Sequence, residues 1–129
     1  MTVRRSLALM AAGLCVAFLG ACSKSVEAPV DRGVCWHAAQ TRDGKIKFNK
    51  VAENVPDLEH CAGQLEALRL KFLGLGGSTH ELTGAYQGTW LFLQREGVFT
   101  AQSLEGVKYP FMVRTGDGRL AIPGAMPQQ

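Results

Sequence analysis

The chain has 129 residues, 47% of them hydrophobic and 19% charged, with 4 cysteines and a formal net charge of +3 at pH 7. The length accommodates one small domain, and the apolar fraction excludes a disordered chain. The 14 basic residues are scattered rather than gathered in a block, so neither the charge nor the pI near 8.8 marks a nucleic-acid footprint, and no nucleic-acid partner is expected.

At the N-terminus, Arg4 and Arg5 precede an apolar run over residues 7–19, and the run ends in Leu19-Gly20-Ala21-Cys22. This is the layout of a secretory signal. In these first 22 residues the chain resembles bacterial lipoproteins, whose pattern is Leu, two small residues and a Cys. The resemblance implies that residues 1–21 are removed and that Cys22 carries a diacylglyceryl group on its thiol, with its new amino terminus often acylated too. Small side chains at Gly20 and Ala21 let a peptidase backbone reach the bond, and Leu19 fills a pocket. An uncut transmembrane anchor is the weaker reading, because 13 apolar residues fall short of the ~20 that span a bilayer as a helix. Two or three acyl chains hold firmly, at about 0.8 kcal/mol per buried CH2. Ser23 stands where many Gram-negative lipoproteins carry Asp as an inner-membrane retention mark. The resemblance therefore implies an outer-membrane anchor with the domain facing the periplasm.

Loss of Arg4 and Arg5 would leave 12 basic residues against 11 acidic ones, a net charge near +1. Cys15 would leave with the signal, so the mature domain would keep Cys35 and Cys61. Two thiols in an oxidising envelope compartment pair. Their bridge would close a loop of about 25 residues, which in the chain-entropy model is worth roughly 3.5 kcal/mol. No Cys-X-X-Cys is present to lower a thiol pKa, so the bridge is expected to be structural.

Residues 22–33 are polar and interrupted by Pro29, and are expected to form a flexible tether. Residues 34–129 are expected to form a small α+β domain. It opens with a β-hairpin, 34–40 and 45–51 around Asp43-Gly44. Ile46 and Phe48 alternate with Lys45, Lys47 and Asn49, giving one apolar and one wet face. A Lys-rich strand also protects a sheet edge from pairing with another chain. These lysines, with Lys50, read as a solvated face.

An amphipathic helix is expected over about 56–73, capped by Asn54 or Asp57 and with Pro56 in its first turn. Leu58, Cys61, Leu65, Leu68 and Phe72 form its apolar stripe, and Glu59, Glu66, Arg69 and Lys71 are expected to face water. Gly63 weakens the helix by up to about 1 kcal/mol relative to Ala, unless it marks a close approach to a neighbour. The glycines at 74, 76 and 77 then act as a helix stop rather than a phosphate loop, since no Lys follows them.

An antiparallel β-meander is expected over about 85–122, with strands at 85–94, 98–103, 107–115 and 119–122 separated by turn-like glycine segments. Trp90-Leu91-Phe92-Leu93 is apolar on both alternations, as in a central strand covered on both faces. Val107, Tyr109, Phe111 and Val113 are expected on one face of the next strand, and Pro110 marks that strand as an edge or a bulge. The tail from 123 is expected to fray.

The functional residues are sparse. His80-Glu81 begins a zincin-like motif, but Gly84 stands where the second His belongs. His37, His60 and His80 form a metal or ligand site only if folding gathers them with Cys35 and Cys61, and adjacent helix positions send His60 and Cys61 in different directions. No nucleophile and base share a mechanistic spacing. No catalytic residue, metal or cofactor is therefore assigned. The expectation is a non-catalytic envelope binding module with a protein partner, Trp36, Tyr86 and Tyr109 being candidate interface aromatics. A periplasmic ligand or metal carrier using His37, His60 or His80 is the alternative, and a small envelope enzyme the third reading.

Overall fold

The computed structural model of the protein describes residues 25–77 and 80–123. The expected signal peptide, Cys22, Ser78-Thr79 and the tail from 124 lie outside them. The protein is an α+β domain. Its elements in order are β1 (Cys35–Gln40), β2 (Ile46–Ala52), α1 (Leu58–Gly74), β3 (Leu82–Tyr86), β4 (Thr89–Gln94), β5 (Gly97–Ala101), β6 (Tyr109–Arg114) and β7 (Leu120–Ala121). They build one antiparallel sheet in the order β2-β1-β3-β4-β5-β6-β7. Helix α1 covers one face.

The N-terminal hairpin and the meander thus share a single sheet, joined by β1 against β3. The Lys-bearing strand β2 is an edge, as its side chains lead one to expect. Its turn needs only one positive φ angle, at Gly44, rather than two. Thr41 closes it by donating its N–H to Lys45 O at 2.8 Å, and its hydroxyl, also within 3.1 Å of that carbonyl, has its one hydrogen shared between it and the Asp43 carboxylate. The same five-residue pattern, Thr-X-Asp-Gly followed by a basic residue, recurs at 115–119 between β6 and β7 with the same bonds.

The meander has one more strand than expected. Residues 85–94 are not one strand, because Gln87 (φ 45°) and Gly88 (φ 85°) form a tight turn between β3 and β4. Two successive positive φ angles match the twist of a two-residue hairpin. β4 lies at the centre of the sheet, with Leu91 and Leu93 in the helix-side core and Trp90 and Phe92 in the cluster on the opposite face. Both alternations are buried, as the apolar run implies. In β6 the Pro110 reading resolves to a bulge: the pairing shifts between Val98 and Phe99, and Phe111 and Met112 both pack against the helix-side core. Val107 falls outside β6 and is exposed, so the expected single face of four residues is not formed.

Helix α1 begins two residues later than expected. Asp57 is its N-cap, its carboxylate accepting from His60 N at 2.8 Å. Pro56 stands just ahead of the cap, and Asn54 sits in a left-handed turn (φ 55°). The helix ends at a Schellman motif, Gly77 N bonding Phe72 O at 3.0 Å and Gly76 N bonding Leu73 O at 3.1 Å. These bonds satisfy carbonyls that the helix itself leaves free. Cys61, Ala62 and Leu65 are fully buried. Glu66 and Arg69, expected in water, are buried instead, and Phe72, expected in the core, is exposed.

The expected tether is also shorter. Ala28 is buried in the cluster with Trp90 and Ala101. Pro29 O accepts from Gly88 N at 2.9 Å, and Gly33 N donates to the Gln87 side chain at 2.8 Å. The body of the domain therefore begins near Ala28.

The close approach between helix and sheet falls at Gly84 rather than Gly63. A Cβ at Gly84 would lie 2.8 Å from Trp36 O and would overlap the Leu65 side chain, whereas one at Gly63 meets nothing within 4 Å among the described residues. The two alanine substitutions are therefore expected to have opposite signs. Gly84→Ala lowers the unfolding free energy by about 1–3 kcal/mol through overpacking, and Gly63→Ala raises it by up to about 1 kcal/mol through helix propensity. Urea titrations of both variants check this.

Candidate functional site

Cys35 and Cys61 are disulfide-bonded, with Cα atoms 5.4 Å apart and both residues inaccessible to solvent. The bridge fastens the first residue of β1 to the first helical turn of α1. Packing places the two sulfurs together because Cys61 lies on the buried stripe and Cys35 on the helix-facing side of β1. Cys22 lies outside the described residues.

The three candidate interface aromatics part company. Tyr86 is buried and its hydroxyl donates to Val55 O at 2.6 Å, so it is a core residue that ties β3 to the approach to α1. Its candidacy as an exposed anchor is corrected. Trp36 is largely covered on the sheet face opposite the helix, edge-on to Phe48 at 6.5 Å between ring centroids, with Lys50 Nζ 5.9 Å from its ring. Among the described residues its indole N–H has no partner. Tyr109 alone is openly displayed, at 61% exposure.

The histidines are not gathered either. His60 is exposed on the first turn of α1, its Nδ1 2.6 Å from the Asp57 carboxylate. His80 contributes its backbone carbonyl to Arg69, at 3.3 Å. His37, in β1, faces the helix side, 5.8 Å from the Phe72 ring. Among the described residues no group of three or more His, Cys, Asp or Glu is placed to hold a metal ion.

His37 instead lines a cleft of about 610 Å³ between the end of β1, the start of β3 and the C-terminus of α1, with Gln40, Phe72, Leu75, Glu81 and Thr83. Burial lowers the His37 pKa below its ordinary value, which favours the neutral imidazole. A neutral imidazole both donates and accepts a hydrogen bond. Phe72 is 39% and Leu75 76% exposed, and together they give the cleft an apolar wall. The arrangement suits a ligand or side chain with an apolar body and a polar tip.

A second constellation was hidden in the sequence. Glu66, buried on α1, receives both Arg69 (Nη2 to Oε1 2.7 Å, Nε to Oε2 3.0 Å) and Arg114 of β6 (Nε to Oε1 2.8 Å, Nη2 to Oε2 3.1 Å). Arg114 continues to the carbonyls of Gln94 and, at 3.0 Å, Arg95 in the β4–β5 turn. Burial alone would raise the Glu66 pKa. The hydrogen bonds from the two guanidinium groups outweigh it and bring the value down to about 2. Every oxygen of this carboxylate is occupied by protein donors, so the cluster is a clamp between helix and sheet, with no lone pair directed at a ligand.

No protein-family model, curated protein or solved structure matches this chain.

Proposed function

We propose that this protein is a lipid-anchored component of the bacterial cell envelope, acylated at Cys22 and held in the periplasm at the outer membrane, where it serves as a non-catalytic binding module. The observation that carries this reading is the layout of residues 4–22. The Cys35–Cys61 bridge supports it, because such bonds persist in oxidising compartments. The binding surface we assign is the cleft of His37, Phe72 and Leu75. It lies toward the end of the sheet opposite the one where the chain enters from the anchor, and so is presented away from the membrane to an envelope protein partner. A carrier of a small ligand is the second reading, favoured by His37 facing the apolar wall of Phe72 and Leu75 in a cleft that Gln40, Glu81 and Thr83 also line.

An intact mass of the protein extracted from its native membranes under non-reducing conditions tests the anchor and the bridge together. The expected species starts at Cys22, carries two or three acyl chains and resists thiol alkylation. A mass starting at Met1, or one without acyl groups, overturns the reading. A photo-crosslinker in place of Leu75 tests the surface: one discrete adduct, lost on Phe72→Ala, is expected in intact cells. Adduct formation that is indifferent to Phe72 removes the cleft from the proposal.

A further inference from the structure

Exposed apolar side chains gather at the pole where the chain enters the domain. Val26 and Val30 lie beside Gly88, Gln102 and Ser103 around one shallow depression. The loop after β5 continues from Ser103 to Val107, and Tyr109 opens β6 at the same end of the sheet, paired with Thr100. Val30 is 80% and Val107 70% exposed. These are two open aliphatic side chains at the same end of the sheet. The charges on the same segments are mixed, with Glu27, Asp31 and Glu105 against Arg32 and Lys108.

We infer that this pole rests on the bilayer, with Val30, Val107 and Tyr109 dipping into the interfacial layer of the membrane that holds Cys22. The inference rests on the acylation proposed above. Two observations choose the occupant. The buried Ala28 is six positions after Cys22, so even fully extended, at ~3.4 Å per step, the connection keeps this pole within about 20 Å of the acylated residue. Secondly, the residues displayed suit that depth, since a Tyr ring places its apolar body and hydroxyl at the level of the headgroups. The cleft residues Phe72 and Leu75 lie at the far end of the sheet and cannot touch the same surface. With charge of both signs present, apolar burial rather than attraction to anionic headgroups seats the pole, and the contact is insensitive to salt.

The test uses the acylated mature protein, purified from membranes and reconstituted in phosphatidylcholine vesicles with and without brominated acyl chains. Tryptophan is introduced as Val107→Trp in one variant and as Leu75→Trp in another. The expected result is a blue shift and loss of the added fluorescence in brominated vesicles for Val107→Trp alone. That loss persists from ~0.1 to ~1 M salt, over which the Debye length falls from about 10 to about 3 Å. If both variants, or neither, are quenched while the mass shows intact acyl chains, the domain has no fixed pole on the membrane and the inference is wrong. Quenching abolished by salt overturns the apolar seating. A mass without acyl groups overturns the anchor itself, and this inference with it.

Discussion

Glu66→Ala is expected to lower the unfolding free energy by about 3–5 kcal/mol, the usual result of removing one partner from a buried ion pair. The variant leaves Arg69 buried and Arg114 mostly so, both without the one carboxylate they shared, and it unties α1 from β6. For a domain of this size, with a total stability of order 5–10 kcal/mol, that is a large share. A urea titration reads the loss directly. The wild-type pH dependence follows from the same group. A folded pKa of about 2 lies below the unfolded value of ~4.3, so the stabilisation is fully present above pH ~4.3 and is lost as the pH falls through 2. The difference corresponds to about 3 kcal/mol. Acid unfolding of the wild type should therefore steepen below pH ~4.3, and the Glu66→Ala variant should lack that component. Replacing all three charges by Leu or Met should recover only part of the loss: apolar groups substitute for a buried charge network at little cost, but the carbonyls of His80, Gln94 and Arg95 lose their guanidinium donors.

Removing the bridge is the second large effect. A Cys35→Ala, Cys61→Ala double variant is expected to lose about 3.5 kcal/mol, the loop-closure entropy that the bond removes from the unfolded chain. Wild-type protein unfolded and refolded in reductant should show the same shift in its urea midpoint. Because both cysteines are inaccessible to solvent, reductant added to the folded protein should act only after the helix has lifted from β1. Alkylation by a small thiol reagent should therefore track the unfolding equilibrium. A bond reduced quickly in native buffer would contradict this placement.

The features that could be read from the sequence are those whose cause is local. Asp57 caps the helix through its own third neighbour, the stripe of Cys61 and Leu65 follows helical period, and the apolar run of Trp90 to Leu93 describes a strand buried on both sides. The Cys35–Cys61 pairing was legible from two thiols left in a chain whose first 22 residues resemble a secretory signal. What escaped has a non-local cause. Glu66 and Arg69 look like solvated charges because Arg114, which allows them to be buried, lies 48 positions from Glu66. Tyr86 looks like an interface residue because its acceptor, Val55 O, is known only once β3 has docked. The Gln87-Gly88 turn was missed because glutamine seldom adopts positive φ, although Gly88 within an otherwise apolar strand pattern was a usable signal. The cleft depends on Phe72, whose exposure follows from where the helix ends relative to the sheet.

The strand order carries a consequence for how the chain reaches this structure. Every pairing joins strands adjacent in sequence except β1 with β3, which must wait for the intervening hairpin partner and helix to be set aside. That contact closes the longest loop in the sheet, and distant closures cost more chain entropy than neighbouring hairpins do. In the reduced chain about 50 positions separate Cys35 from its pairing partner Tyr86; once Cys35 is joined to Cys61, the shortest path is about 25. Halving the loop lowers the closure cost by about 0.6 kcal/mol. Oxidation thus eases that closure as well as securing its result, and a chain that meets an oxidant as it emerges spends less time with the edges of β1 and β3 unpaired.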